Sequence, residues 1–250
     1  MYLAIPTQQS CARAWVAAAT AIASDVEAYN VVIDVEYPVN YDERDNEVFK
    51  LVDSFLKSRD QKPIATVVNT IFPQALYLQH GSPDFYDEYH KFFERLTTSK
   101  SWGRYFDRLT RRQTLEGEPF NPLEELIDKL RKQNDAEQRY KAVYELAVYD
   151  PQRDRNYLRG GQCLSFLSFK RHPERGLTLT AMYRNQMYIT RCLGNRIGLG
   201  LLQAFVAKEA KLDVGPLTCI STHAELDTGN GWGIREARKL IEDASELLNP

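Results

Sequence analysis

Apolar residues recur along this chain with two periods, and the switches between them mark out its elements. Residues 31–35 (Val31-Val32-Ile33-Asp34-Val35) are mostly β-branched and stop at Pro38, which predicts a buried or half-buried strand. Across 45–56, Val48, Phe49, Val52, Phe55 and Leu56 fall at helical spacing. Residues 64–71 are again mostly β-branched, a strand-like composition, and run into Phe72-Pro73-Gln74-Ala75-Leu76-Tyr77. Ser82-Pro83, followed by acids, predicts a capped helix start, with a helix to about 98 burying Phe85, Tyr89, Phe92, Phe93 and Leu96. Asn121-Pro122-Leu123-Glu124 is a second start signal: an Asn cap, Pro at the first helical position and an acid at the third.

Further on, 140–149 and 163–169 read as strands, and 177–183 alternates strictly between apolar and polar, as a half-exposed strand does. The turn 172–176, with Pro173 and Gly176, joins the last two into a hairpin. Residues 196–211 carry Ile197, Leu201, Leu202, Phe205, Val206 and Ala210, a wide apolar face that predicts a largely buried helix under a sheet. A strand at 217–221 and an amphipathic surface helix at 234–248 complete the pattern. The Ala-rich stretch 12–24 reads as a helix packed on the body; Arg13 interrupts it, and it is too short to span a bilayer. Strands mixed with helices and hairpins, without regular βαβ alternation, predict an α+β fold. With no linker-like tract or internal repeat, residues 1–250 are expected to form one domain.

Composition adds exclusions. A net charge of −2 supplies no global basic field, which argues against nucleic acid as a partner while leaving a local phosphate site open. Four scattered cysteines (Cys11, Cys163, Cys192, Cys219) make neither a disulfide framework nor a zinc motif, so a reduced, cytoplasmic setting without a bound metal or a membrane is expected. Arg108, Arg111 and Arg112 form a local basic cluster, read as solvated surface.

The chemistry-bearing residues come in an ordered series: Tyr149-Asp150-Pro151, then Gly161-Gln162-Cys163, the hairpin, Arg184, and Asn195 opening the apolar helix. Arg184 and Asn195 are eleven positions apart, and Asn195 and Glu225 thirty. In order and spacing this resembles the thymidylate synthase superfamily, including its nucleotide hydroxymethylases. From Asn121 onward, slightly over half the chain follows the pattern. The resemblance implies a thymidylate-synthase-like mixed sheet with a long buried central helix, surface helices and a homodimer. It implies transfer of a one-carbon unit, methyl or hydroxymethyl, to C5 of a uracil-type pyrimidine nucleotide monophosphate. Cys163 takes the place of the nucleophile that adds to C6, a role requiring a thiolate, and Arg184 that of the phosphate-binding arginine near it. Asn195 takes the place of the amide that reads the uracil edge; a plain helix cap is its structural alternative. Gln162 accompanies the nucleophile. Arg139 and Lys141 are candidates for phosphate ligands supplied across a dimer.

The pattern also departs from the family. The catalytic glutamate aligns with Gln74, whose amide cannot serve as a general acid or base. The active-site tyrosine aligns with Trp102 in Trp102-Gly103-Arg104-Tyr105. The histidine and tyrosine that hold the sugar become Glu225 and Asp227, two carboxylates that would share one face of a strand. Methylenetetrahydrofolate is the implied cofactor, but its aspartate and glycine contacts become Met187 and Arg191, and the family's apolar C-terminal tail has no counterpart. Two expectations therefore stand: a divergent one-carbon transferase, or a catalytically impaired relative that binds a nucleotide or a protein partner.

Overall fold

The first strand, β1 (Leu3–Gln8), leads through α1 (Cys11–Ile22) to β2 (Glu27–Val35), which lies parallel to it. The Ser10 hydroxyl caps α1 by accepting the N–H of Arg13 at 3.3 Å. Helices α2 (Glu43–Lys57), α3 (Ile64–Ile71), α4 (Gln74–His80) and α5 (Asp84–Leu96) follow. Then come α6 (Tyr105–Thr110), a small hairpin of β3 (Arg112–Gln113) and β4 (Pro119–Phe120), α7 (Pro122–Lys132), β5 (Glu145–Ala147) and α8 (Pro151–Asp154). The remainder runs β6 (Leu164–His172), β7 (Gly176–Tyr183), β8 (Gln186–Met187), one π-helical turn (Tyr188–Cys192), α9 (Leu193–Glu209), β9 (Val214–Glu225) and α10 (Ile234–Leu248). This computed structural model describes residues 2–96, 104–134, 136, 140–156, 161–229 and 231–249.

The strands form one mixed sheet in the order β1-β2-β9-β7-β6-β5, with β8 pairing the end of β9. The pairs β1–β2, β7–β9 and β8–β9 are parallel and the others antiparallel. The fold is thus α+β with a mixed sheet. Parallel neighbours need crossover connections, and α1 and α9 supply them. Alternation along each strand then separates the faces. Val31, Ile33, Leu217, Cys219, Leu179 and Ala181 are buried on the face carrying α1 and α9. On the other face Val32, Ile220, Met182 and Phe166 align in register across β2, β9, β7 and β6 as an apolar row, with Met182 38% exposed. Among the described residues no helix is long and apolar enough to cross a membrane.

Local chemistry explains the helix starts. Asp42 and Asp45 form a reciprocal capping box at α2, and the Asn121 side chain accepts the N–H of Glu124 at 3.1 Å at α7. Helix α5 begins at Asp84, just after the Ser82-Pro83 pair rather than on it. Two expectations need correction. The strand predicted at 140–149 contracts to β5. Residues 64–71, strand-like in composition, are helical: Asp53 Oδ1 accepts the Ile64 N–H at 2.8 Å, a cap supplied from α2, and α3 packs along α9. That packing is close. A Cβ on Gly194 would lie 2.7 Å from Val67 Cβ, and one on Gly198 would lie 3.0 Å from Ile71 Cβ. Tertiary contact here outweighs intrinsic β propensity.

The arginines read as solvated surface are structural instead. Arg108 is 2% exposed and donates to both Asp154 carboxylate oxygens, at 2.5 and 2.8 Å. Arg112 donates to Asp150 at 2.6 Å, and Arg111 bridges Glu94 and Asp107 at 2.6 and 2.8 Å. These pairs tie α6 to α8 and α5.

Two stability predictions follow from these contacts. Gly194→Ala should destabilise the fold by about 1–3 kcal/mol, because the added methyl meets α3; urea denaturation checks this. Asp154→Ala should cost about 3–5 kcal/mol by leaving Arg108 buried without its partner. Burial by itself would raise the Asp154 carboxyl, but the Arg108 hydrogen bonds and charge and the Asp150 N–H hold it below the ordinary value. A carboxyl lower in the folded than in the unfolded state stabilises above its unfolded value, and that contribution fades as pH falls through the folded one. Denaturation midpoints in mild acid should therefore fall more steeply for the wild type than for the variant.

Candidate active site

The hairpin β6–β7 brings its two open ends together: the Arg184 N–H donates to the Cys163 carbonyl at 2.9 Å. Cys163 stands one residue before β6, half-buried. Two residues before it, Gly161 has φ +78°, and a Cβ there would lie 3.1 Å from Arg184 Nη2. The bare glycine thus accepts a left-handed turn and leaves room for the guanidinium. That guanidinium lies within hydrogen-bonding reach of the Cys163 thiol. The thiol and the cation predicted from spacing do meet.

Asn195 enters from below, as the third residue of α9. The π turn before it is held by Asp227, whose carboxylate accepts the N–H of Ile189 at 2.7 Å, the N–H of Thr190 at 3.2 Å and the Thr190 hydroxyl at 2.6 Å. These bonds occupy a carboxylate only 5% exposed. Asp227 is therefore a structural cap rather than a sugar ligand facing the site. Glu225 diverges from it: half-buried, it accepts the Asn185 amide N–H at 2.9 Å, and its charge reaches Cys163. Asn185 also bonds His223 at 2.8 Å, and His223 in turn pairs with Glu27 at 3.1 Å.

A cavity of about 330 Å³ gathers Cys163, Gln162 and Asn195 with Met187 and Arg191. The same lining includes residues that sequence reasoning did not select: Thr70, Arg104, Tyr105 and Gln186. Gln162 and Asn195 are 6% and 4% exposed, far more buried than solvent-facing caps. Gln74 is exposed on α4 and takes no part in the lining; α3 turns Val67 and Thr70 to the cavity instead. Lys141 is exposed at the turn end of the β6–β7 hairpin, beside Lys170 and His172. Nine residues of β6 at about 3.3 Å each put it roughly 30 Å from Cys163, beyond reach within one chain. Trp102 and Arg139 lie outside the described residues.

Tyr105, rather than an aromatic at the aligned position, stands beside the thiol. Its hydroxyl accepts the Leu164 N–H at 3.4 Å, and burial followed by the Cys163 charge raises the phenol to about 12. A sequence signal existed in Arg104-Tyr105, immediately after Trp102-Gly103. Nothing in sequence marked Gln186 or Thr70.

Burial pushes the Cys163 thiol above its ordinary value, and the Glu225 charge adds to this; the Arg184 charge, the Arg191 charge and the Arg184 hydrogen bond act in the opposite direction. The charged residues in the described lining, Arg104 and Arg191, are both cations. The described lining therefore suits an anionic ligand, and it contains no carboxylate for general acid–base work. No metal-binding group of His, Cys, Asp or Glu is found among the described residues. No protein-family model matches the chain, nor does any curated protein.

Cys163 differs sharply from the other thiols in access, since Cys11, Cys192 and Cys219 are at most 1% exposed. Native-state alkylation with iodoacetamide should therefore label Cys163 alone, with a rate that rises through a pH midpoint above the ordinary thiol value. Removing the cation in Arg184→Gln should move that midpoint higher still; peptide mapping across a pH series reads both results.

Proposed function

We propose that the chain is a divergent thymidylate-synthase-like enzyme acting at C5 of a uracil-type nucleotide monophosphate. The observation that carries this reading is that Cys163 lines one cavity with Asn195 while the Arg184 guanidinium, exposed outside that lining, lies against its thiol. Arg184 binds the phosphate and favours the thiolate. Asn195 pairs with the uracil edge. The Cys163 thiolate adds to C6, so the C5–C6 double bond becomes an enolate with its nucleophilic carbon at C5. That carbon takes up a one-carbon electrophile, becoming a methyl or hydroxymethyl acceptor; the C5 proton then leaves, and elimination from C6 returns the thiolate.

Folate fits this lining poorly. Met187 and Arg191 both line the cavity at positions that the resemblance gives to folate contacts, one adding bulk and the other charge. No step is therefore derived through folate. A homodimer is proposed through the open sheet face, where the row Val32–Ile220–Met182–Phe166 would be covered. Lys141 stands near the end of the hairpin that borders that face. Within this reading it can serve a phosphate only in another copy.

The second reading, nucleotide binding without turnover, is favoured by one specific observation: no carboxylate is present in the described lining. A single experiment separates the two. The protein is incubated with 5-fluoro-dUMP and with 5-fluoro-UMP, and intact mass and C5 tritium release from the unfluorinated nucleotides are followed. The catalytic reading expects a one-nucleotide adduct mapping to Cys163 and absent in Cys163→Ser. Binding of either nucleotide with neither adduct nor tritium release would leave the second reading standing in its place.

A further inference from the structure

Gln186 sits in β8, paired with Ala224 of β9 and two positions after Arg184. It is 1% exposed and belongs to the lining of the Cys163 cavity. Its Oε1 accepts the hydroxyl proton of Ser221 at 2.5 Å, and Ser221 is itself 1% exposed. Here the one proton of the serine hydroxyl goes to Oε1, which turns the oxygen end of the amide to Ser221. The other end, Nε2, carries two N–H donors and has no hydrogen-bond partner among the described residues.

Buried donors are almost always satisfied, because leaving one unpaired forfeits its hydration without a replacement. The Ser221 hydrogen bond leaves both donors of this amide unspent, in a residue that shares the cavity lining with Cys163. Asn195, across the same lining, offers a second amide. The cavity therefore presents buried hydrogen-bonding groups to whatever lies against Cys163, and the complement of an orphan N–H is an oxygen acceptor.

We infer that Gln186 is a ligand-binding residue that donates its Nε2–H to a ring carbonyl oxygen of the substrate, with Ser221 as the positioning residue that locks its amide. This rests on the pyrimidine reading of the cavity and narrows it, since the ligand must present a carbonyl acceptor at this wall. A ring lacking that oxygen leaves the donor unpaired and binds more weakly.

The test is calorimetric titration of dUMP and of UMP into the wild type, Gln186→Met, Ser221→Ala and the double variant. Gln186→Met alone strands the Ser221 hydroxyl. The double variant removes both partners, a change that is close to neutral for stability, so it serves as the folded control. Thermal melting and the alkylation rate of Cys163 should match the wild type there, showing an intact cavity. Loss of one buried hydrogen bond should weaken the tighter-binding nucleotide about tenfold or more in both Gln186 variants. Ser221→Ala should weaken it by less, because the donor survives with its orientation freed. Equal affinity in the wild type and the double variant overturns this inference while leaving the pyrimidine site intact. Failure of the wild type to bind either nucleotide overturns both.

Discussion

The backbone contact between α3 and α9 is the constraint on which the site depends. Gly194 and Gly198 leave no side chain on the contacting edge of α9, so α3 approaches to within Cβ contact distance. That approach does two things together. It turns Val67 and Thr70 toward the cavity, and it fixes the first turn of α9, from which Asn195 projects. Gly194 precedes Asn195 directly. The seam between the helices and the floor of the cavity are thus adjacent parts of a single turn.

A second principle is the uneven treatment of positive charge. Away from the cavity, several arginines are matched by carboxylates: Arg108 with Asp154, Arg112 with Asp150, and Arg131 with Glu124, Asp128 and Glu209. At the cavity the balance changes, with Arg104 and Arg191 in a lining that has no described carboxylate and Arg184 against the thiol. Glu225 is close enough for its charge to act on Cys163, but the Asn185 amide engages it. Fields of one sign inside a partly enclosed space strengthen attraction for an anion, because little water is present to screen them. Burial holds the Cys163 thiol above its ordinary value, and the Arg184 and Arg191 charges act against that shift.

Much of the fold was legible along the chain, where local chemistry decides structure. The helices at 45–56 and 234–248 match their apolar periods, and the Asn121-Pro122 signal marks α7. The strict alternation in 177–183 matches β7. The failures share a cause, which is that distant partners decided the outcome. Segment 64–71 is helical because Asp53 caps it and α9 packs on it, and neither fact is written within those residues. Likewise, Arg108 reads as a surface cation until Asp154, forty-six positions away, is brought against it. For the site, ordered spacing located Cys163, Arg184 and Asn195 because each sits at a junction of regular elements. Asp227 and Gln74 fall outside the lining: Asp227 is turned onto the π turn that it caps, and Gln74 was placed by alignment through a divergent stretch. Tyr105, Thr70 and Gln186 reach the cavity only through tertiary packing.

The bare seam between α3 and α9 also bears on how such a protein changes over evolutionary time. A pocket whose walls are spaced by interlocking side chains changes shape whenever one of them mutates. Here the spacing is set by bare glycine backbone of α9 against Val67 and Ile71 of α3, which leaves most of the rim outside the seam. Residues such as Met187, Arg191 and Thr70 can be exchanged singly while the distance between thiol, cation and amide is preserved. The frame is robust and its chemistry is modular, which allows one skeleton to pass between ligands without first losing its fold.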